Sequence, residues 1–183
     1  MIQQLLEEAG ATRIPSGLVV PDGRGVEAPP GPTPAQSEET YLGYARAHTF
    51  VSPEGVARDR ARSYRGVSPL RTDEWSLTGD WSVERERVVL ARPGGQIAYR
   101  FHARDLHLVL GPAGGLKAVR FRIRVDGKPP LADHGSDVDS QGNGTIDSHR
   151  LFQLVRQTEN KQDRLFEIEF LDPGAEAYVF TFG

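Results

Sequence analysis

The densest group of chemically capable side chains lies between Asp133 and Gly144. Asp133, His134, Asp137 and Asp139 fall within seven residues, and Arg150 opens the next strand-like run. Carboxylates accept hydrogen bonds from hydroxyl groups, and an imidazole and a guanidinium add donors. Gly142 and Gly144 would let the backbone approach a bound group closely. These five residues form the candidate ligand-binding set. The competing account is a loop folded inward, in which the short Asp side chains satisfy backbone N–H groups and Arg150 and meet no ligand. Asp137, Asp139 and Gly142 match positions one, three and six of a calcium loop. Position five is Gln141, however, and position twelve is Ser148, where a bidentate Glu belongs. The five histidines are His48, His102, His107, His134 and His149. Only His102 and His107 are placed to approach each other, and no clear third ligand joins them. No metal and no cofactor are expected.

Catalytic patterns are scarce. The chain has no cysteine, so it cannot supply a thiolate nucleophile, a redox dithiol or a disulfide. It has no Gly-x-Ser-x-Gly elbow and no Walker lysine–hydroxyl pair. Asp133, Asp137 and Asp139 could serve a glycosidase only if two of their carboxyls faced each other across a cleft, and an enzyme is not expected. Arg120, Arg122 and Arg124 could attract an anion. The plainer account pairs them with Glu167 and Glu169 on a neighbouring strand, at roughly 0.2–1 kcal/mol per pair. Trp75 and Trp81 share a face of one straight strand and are read as core rather than as a sugar platform.

The elements that must position these residues are short strands. Val119, Phe121, Ile123 and Val125 alternate with the three arginines. Phe166, Ile168 and Phe170 alternate with the two glutamates, and Tyr178, Phe180 and Phe182 alternate with Val179 and Thr181. Period two with one polar face predicts half-buried antiparallel strands. Runs at 74–81, 87–91, 96–102, 105–111, 117–126, 150–157, 164–171 and 177–182 are separated by Pro, Gly and Asp-Gly turns. About eight such strands with no helical period between them predict an all-β fold, a jelly-roll β-sandwich. Ahead of it, Ile2, Leu5, Leu6 and Ala9 predict a short helix, and residues 12–37 form a Pro/Gly-rich linker. The segment from Glu39 to Tyr44 is expected to dock on the sandwich with its aromatics as anchors, and 51–72 is expected to be loop.

The chain has 183 residues, is 38% hydrophobic and 26% charged, and carries a net charge of −3. That balance suits a folded domain and gives no global pull toward nucleic acid or an anionic membrane. No apolar run approaches the ~20 residues of a membrane-spanning helix.

Several segments taken together resemble a known family. They are Glu39-Thr40-Tyr41-Leu42-Gly43-Tyr44; the run from Phe101 to Leu110; Asp133-His134-Gly135 with Asp137-Val138-Asp139; and the ending from Phe166 through Pro173-Gly174 to Gly183. They are similar to the C-terminal part of DipZ-type thioredoxin-like proteins, thiol–disulfide proteins of cytochrome c biogenesis and cell redox homeostasis. The resemblance spans about residues 38–183. It implies a β-sandwich of carbohydrate-binding-module type behind a thioredoxin-like domain, with residues 1–11 as the remnant of that domain's last helix. It also implies an extracytoplasmic setting, on the periplasmic or cell-wall side, and a glycan or cell-wall carbohydrate as partner. The redox Cys-x-x-Cys of the family is not in this chain. The expectation is therefore a non-catalytic ligand-binding or docking module. The alternatives are a purely structural interaction or dimerisation domain without a small ligand, and a carbohydrate-active enzyme.

Overall fold

The computed structural model describes residues 36–115, 118–158 and 163–183. The expected N-terminal helix, and the linker up to residue 35, lie outside the described residues. Among the described residues, eleven strands form one curled antiparallel sheet: β1 (Thr40–Tyr41), β2 (Ala61–Tyr64), β3 (Trp75–Val83), β4 (Val88–Leu90), β5 (Gln96–His102), β6 (Asp105–Pro112), β7 (Val119–Val125), β8 (Asn143–Ile146), β9 (Arg150–Arg156), β10 (Asp163–Phe170) and β11 (Ala175–Phe182). Their order is β8-β7-β10-β5-β3-β4-β11-β6-β9, with β1 added on β11 and β2 on β3. The expected all-β jelly-roll sandwich is the fold. Every expected strand is present, and three short ones are added. One of them, β2, lies inside the stretch expected to be loop.

The curl comes from β3. Its first half, Trp75–Thr78, pairs with β5, and its second half, Gly79–Val83, pairs with β2 and β4. The change of sheet falls at Gly79, whose φ of +94° is unfavourable for any residue with a Cβ. Both tryptophans are consequently core. Trp75 and Trp81 are buried, and their indoles donate to the carbonyls of His48 and Thr78.

Between the two layers lies one apolar core that includes Phe101, Phe121, Phe152, Phe166, Phe170 and Phe180. The alternation of β7 is followed without a break: Val119, Phe121, Ile123 and Val125 are buried, and the arginines between them are exposed. A one-residue slip would bury those arginines, so the register is strongly specified. Glu167 lies opposite Arg124 and Glu169 opposite Arg122. Arg120 instead makes three bonds to Asp172, from its guanidinium at 2.9 and 2.8 Å and from its backbone N–H at 2.9 Å. Those bonds pull the Asp172 carboxyl down to about 2.

The alternation of β11 is broken. Its pairing with β6 shifts between Ala177 and Val179, and the buried residues Ala177 and Phe180 are three apart. The extra residue is a bulge. It turns Tyr178 away from the face that Phe180 occupies, where strict alternation would place it.

Candidate functional site

The loop between β7 and β8 begins with a tight turn at Asp126-Gly127, where both φ values are positive. It runs through Pro129 and Pro130 into a single 3-10 turn, Leu131–Asp133, and then crosses to the outer edge of β9. His134 bridges to Val155, Gly135 N donates to Leu154 O at 2.9 Å, and Asp137 N donates to Gln153 O at 3.2 Å. The approach is close. A Cβ on Gly135 would stand 2.1 Å from Gln153 O. An edge strand exposes unpaired N–H and C=O groups, and this loop covers those of β9 from Gln153 to Val155.

The five candidate residues are shared among three tasks. Asp133 accepts from the Thr158 N–H and hydroxyl, at 2.8 and 2.9 Å, and from Arg164 Nη1 at 3.3 Å. Burial pushes its carboxyl up, and these bonds outweigh burial and hold it below the usual carboxylate range. It lines a cavity of about 390 Å³ with Asp126, Lys128, Leu131, Thr158 and Arg164, and it is the only one of the five to do so. His134 is exposed, and its Nδ1 donates to the Gly135 and Val138 carbonyls at 2.9 and 3.0 Å. Asp137 accepts from Gln153 N at 2.7 Å and pairs with Arg150 Nη1 at 2.8 Å. Arg150 also lies 3.7 Å above the Phe152 ring centre. Asp139 accepts from the Gln141 and Asn143 N–H groups, both at 2.9 Å, and from Asn143 Nδ2 at 3.0 Å. The Asn143 side chain and backbone hold its carboxyl low. Asp137, Asp139 and Arg150 are thus engaged in building the loop. No group of three or more His, Asp or Glu side chains gathers around a common point among the described residues.

A larger cleft, of about 580 Å³, lies elsewhere. Its walls are the segment after β1, the turn between β3 and β4, and the bulged stretch of β11. Tyr41, Arg46, Arg85, Glu86, Tyr178 and Val179 line it. The Arg46 guanidinium stacks 3.3 Å from the Tyr41 ring centre. The Tyr41 hydroxyl donates to Glu39 at 2.6 Å, and that bond raises its pKa. Tyr44 N and Ala45 N donate to the Glu84 and Arg85 carbonyls, both at 2.9 Å, and join two of the walls. Gly43 makes this join close, since a Cβ there would lie 2.2 Å from the Glu86 backbone carbon. Among the aromatics expected to anchor this segment, Tyr44 packs partly on the core while Tyr41 faces the cleft; the fully buried anchor is Leu42. Sequence reasoning missed the cleft. Its residues come from three distant segments, and the bulge at Tyr178 leaves no mark in the alternation.

The Tyr178 ring, the Arg46–Tyr41 stack, Arg85 and Glu86 around an open cleft can lie against a ring and hydrogen-bond its substituents. They do not make a nucleophile–base pair. The fold and the cleft define the class: a β-sandwich domain with a preformed polar-aromatic cleft and no thiol chemistry of its own.

The chain belongs to the family described as thioredoxin like C-terminal domain, whose match runs over residues 37–183. It is 27% identical over 131 residues to Protein DipZ of Mycobacterium bovis and, at the same identity and length, to Protein DipZ of Mycobacterium tuberculosis. Each match takes in 70% of this chain and 17% of the relative, so the chain spans about a sixth of the curated relatives' length. Among solved structures, the C-terminal CBM6 of a laminarinase, LamC of Zobellia galactanivorans, aligns at 12% identity and a TM-score of 0.34, over 78% of this chain and 97% of that one. A family two carbohydrate esterase from Cellvibrio japonicus aligns at 11% identity and a TM-score of 0.40, over 52% of this chain and 26% of that one.

Proposed function

We propose that this domain is a non-catalytic binding module that holds a thioredoxin-like domain of its parent protein at a glycan-bearing surface on the extracytoplasmic side. The observation that carries the reading is the cleft between Tyr41, Arg46, Arg85 and Tyr178. A sugar ring offers an apolar C–H face to an aromatic ring and hydroxyls to a guanidinium or carboxylate, and the cleft supplies both kinds of partner. The module would contribute placement and the parent the thiol chemistry, in cytochrome c biogenesis or redox homeostasis. Within the loop set, Asp133 is the member positioned for a ligand contact, at the 390 Å³ cavity; His134, Asp137, Asp139 and Arg150 serve the loop.

The purely structural alternative calls for a broad apolar docking face. Among the described residues, the exposed large apolar side chains are Val56 and Leu131 alone, which supports the ligand reading. The test is a glycan array followed by calorimetric titration of any hit. Binding by the native chain, and its loss in Tyr41→Ala at a little-changed melting temperature, is the expected result. Absence of binding across neutral and acidic glycans alike overturns the proposal.

A further inference from the structure

Beside the cleft, and sharing Tyr178 with it, lies a carboxylate whose two oxygens are treated very differently. Glu176 is only 4% exposed. Its Oε2 accepts from Arg87 Nη1 at 3.1 Å, His149 Nε2 at 2.8 Å and the Tyr178 hydroxyl at 2.7 Å. No donor among the described residues reaches Oε1. No fully buried side-chain oxygen among them lacks a partner, so Oε1 keeps some contact with solvent.

The surroundings are built to hold this state. Gly111 lies opposite Glu176 in the ladder, and a Cβ on Gly111 would stand 2.0 Å from His149 Cδ2. The absence of a side chain at Gly111 is therefore what lets the imidazole cross β6 to the carboxylate. Arg87 is fixed from its other side by Glu84, at 2.8 Å from Nε. Its Nη1 also donates to the Tyr178 hydroxyl at 3.3 Å, and Nη2 has no partner among the described residues. A free carboxylate oxygen thus stands beside a guanidinium with donors to spare, next to an aromatic ring on the rim of the cleft.

We propose that Glu176 and Arg87 form the selective subsite of the glycan-binding site, where Glu176 Oε1 accepts from one hydroxyl of a neutral sugar and Arg87 donates to the adjacent hydroxyl while the ring lies against Tyr178. This rests on the function proposed above and narrows it to neutral sugars with vicinal hydroxyls. A uronate carboxylate at the same place would set a second carboxylate against Glu176, whose partner Arg87 is already shared with Glu84, and like charges brought together disfavour binding.

Calorimetric titration of the native chain with neutral gluco-, manno- and xylo-oligosaccharides, with uronate oligomers, and with singly deoxygenated forms of any neutral hit tests this. A neutral oligosaccharide binds in preference to the uronates, and removal of one of two adjacent hydroxyls weakens it about tenfold or more, as expected for losing a hydrogen bond to a charged group. Glu176→Gln gives a comparable loss. The three donors keep the amide oxygen in place of Oε2, so the amide nitrogen, a donor, replaces the free acceptor. The deoxy series uses only the native chain, so it decides the matter even if Glu176→Gln folds poorly. Preference for uronates, or neutral binding indifferent to every single deoxygenation and to Glu176→Gln but lost in Tyr178→Ala, overturns this subsite and leaves the module's function standing. No binding of any glycan by the native chain overturns both.

Discussion

Asp137 stands in for a neighbouring strand along the edge of β9. Its carboxylate takes the Gln153 N–H and its own N–H goes to the Gln153 carbonyl, while Arg150 neutralises the charge. Asp139 acts in a similar way further along the loop, closing the turn to Asn143. Asp137 is partly shielded, and its hydrogen bonds contribute about 1.5–3 kcal/mol each; those of the exposed Asp139 add less. Asp137→Ala with Asp139→Ala should therefore lower the melting temperature by several degrees and leave glycan affinity unchanged, as calorimetry and titration would show. The reverse pattern would return these carboxylates to the ligand site. At Asp172, carboxyl-detected NMR titration should find a midpoint near 2, rising in Arg120→Ala but staying below the ordinary value of about 4, because the N–H of residue 120 still donates to the carboxylate. His107 titrates in the opposite sense to a salt-bridged histidine. Burial holds its imidazole below the ordinary value. The unfolded chain then binds the extra proton first, so stability falls as pH drops from about 6.5 through the lower folded value. Urea unfolding across that window should show the slope, and His107→Gln should flatten it.

Strand-level features decide where the surface chemistry ends up. The bulge in β11 swings Tyr178 toward the cleft and toward Glu176, whereas an unbulged strand would have sent it inward with Phe180. The corner at Gly79 lets one strand serve both sheets and buries both tryptophans. At the other end of the sandwich, Phe121 packs edge-on to Phe152 beneath Gly144, where a Cβ would stand 2.2 Å from the Phe121 ring. Phe121→Ala should cost roughly 3–5 kcal/mol in urea unfolding; a loss under about 1 kcal/mol would mean that β7 does not pack as described. Gly43→Ala forces the segment after β1 off the β3–β4 turn. It should abolish glycan binding even at temperatures where circular dichroism shows the sandwich folded.

For the whole molecule, the absence of cysteine sets a boundary on activity. Thiol–disulfide exchange begins with attack by a thiolate. Insulin reduction by this chain should therefore run at the rate of a cysteine-free control, and a faster rate would contradict the separation of placement from chemistry. What the domain brings is a rigid frame. One core spans both layers, and the open edge of β9 is covered by the chain's own loop.

By itself the sequence determined the fold class, the burial of β7 and β10, the Arg–Glu facing across them and the exclusion of thiol chemistry. Each of these follows from local pattern or from composition: period-two alternation assigns a residue to one face, and a missing residue type removes a reaction. The resemblance it carries also led to the family. Only the tertiary structure decided which polar residues meet. Asp133 went to Arg164 and a cavity, Asp137 to Arg150 and β9, and Asp139 to its own turn, because a loop's hydrogen bonds are settled by the strands it crosses rather than by its composition. The cleft and the Glu176 cluster join residues as distant in sequence as Tyr41 and Tyr178, or Arg87 and Glu176. One inserted residue in β11 and two missing side chains, at Gly43 and Gly111, put those groups within reach of each other, and no sequence period reports such a contact.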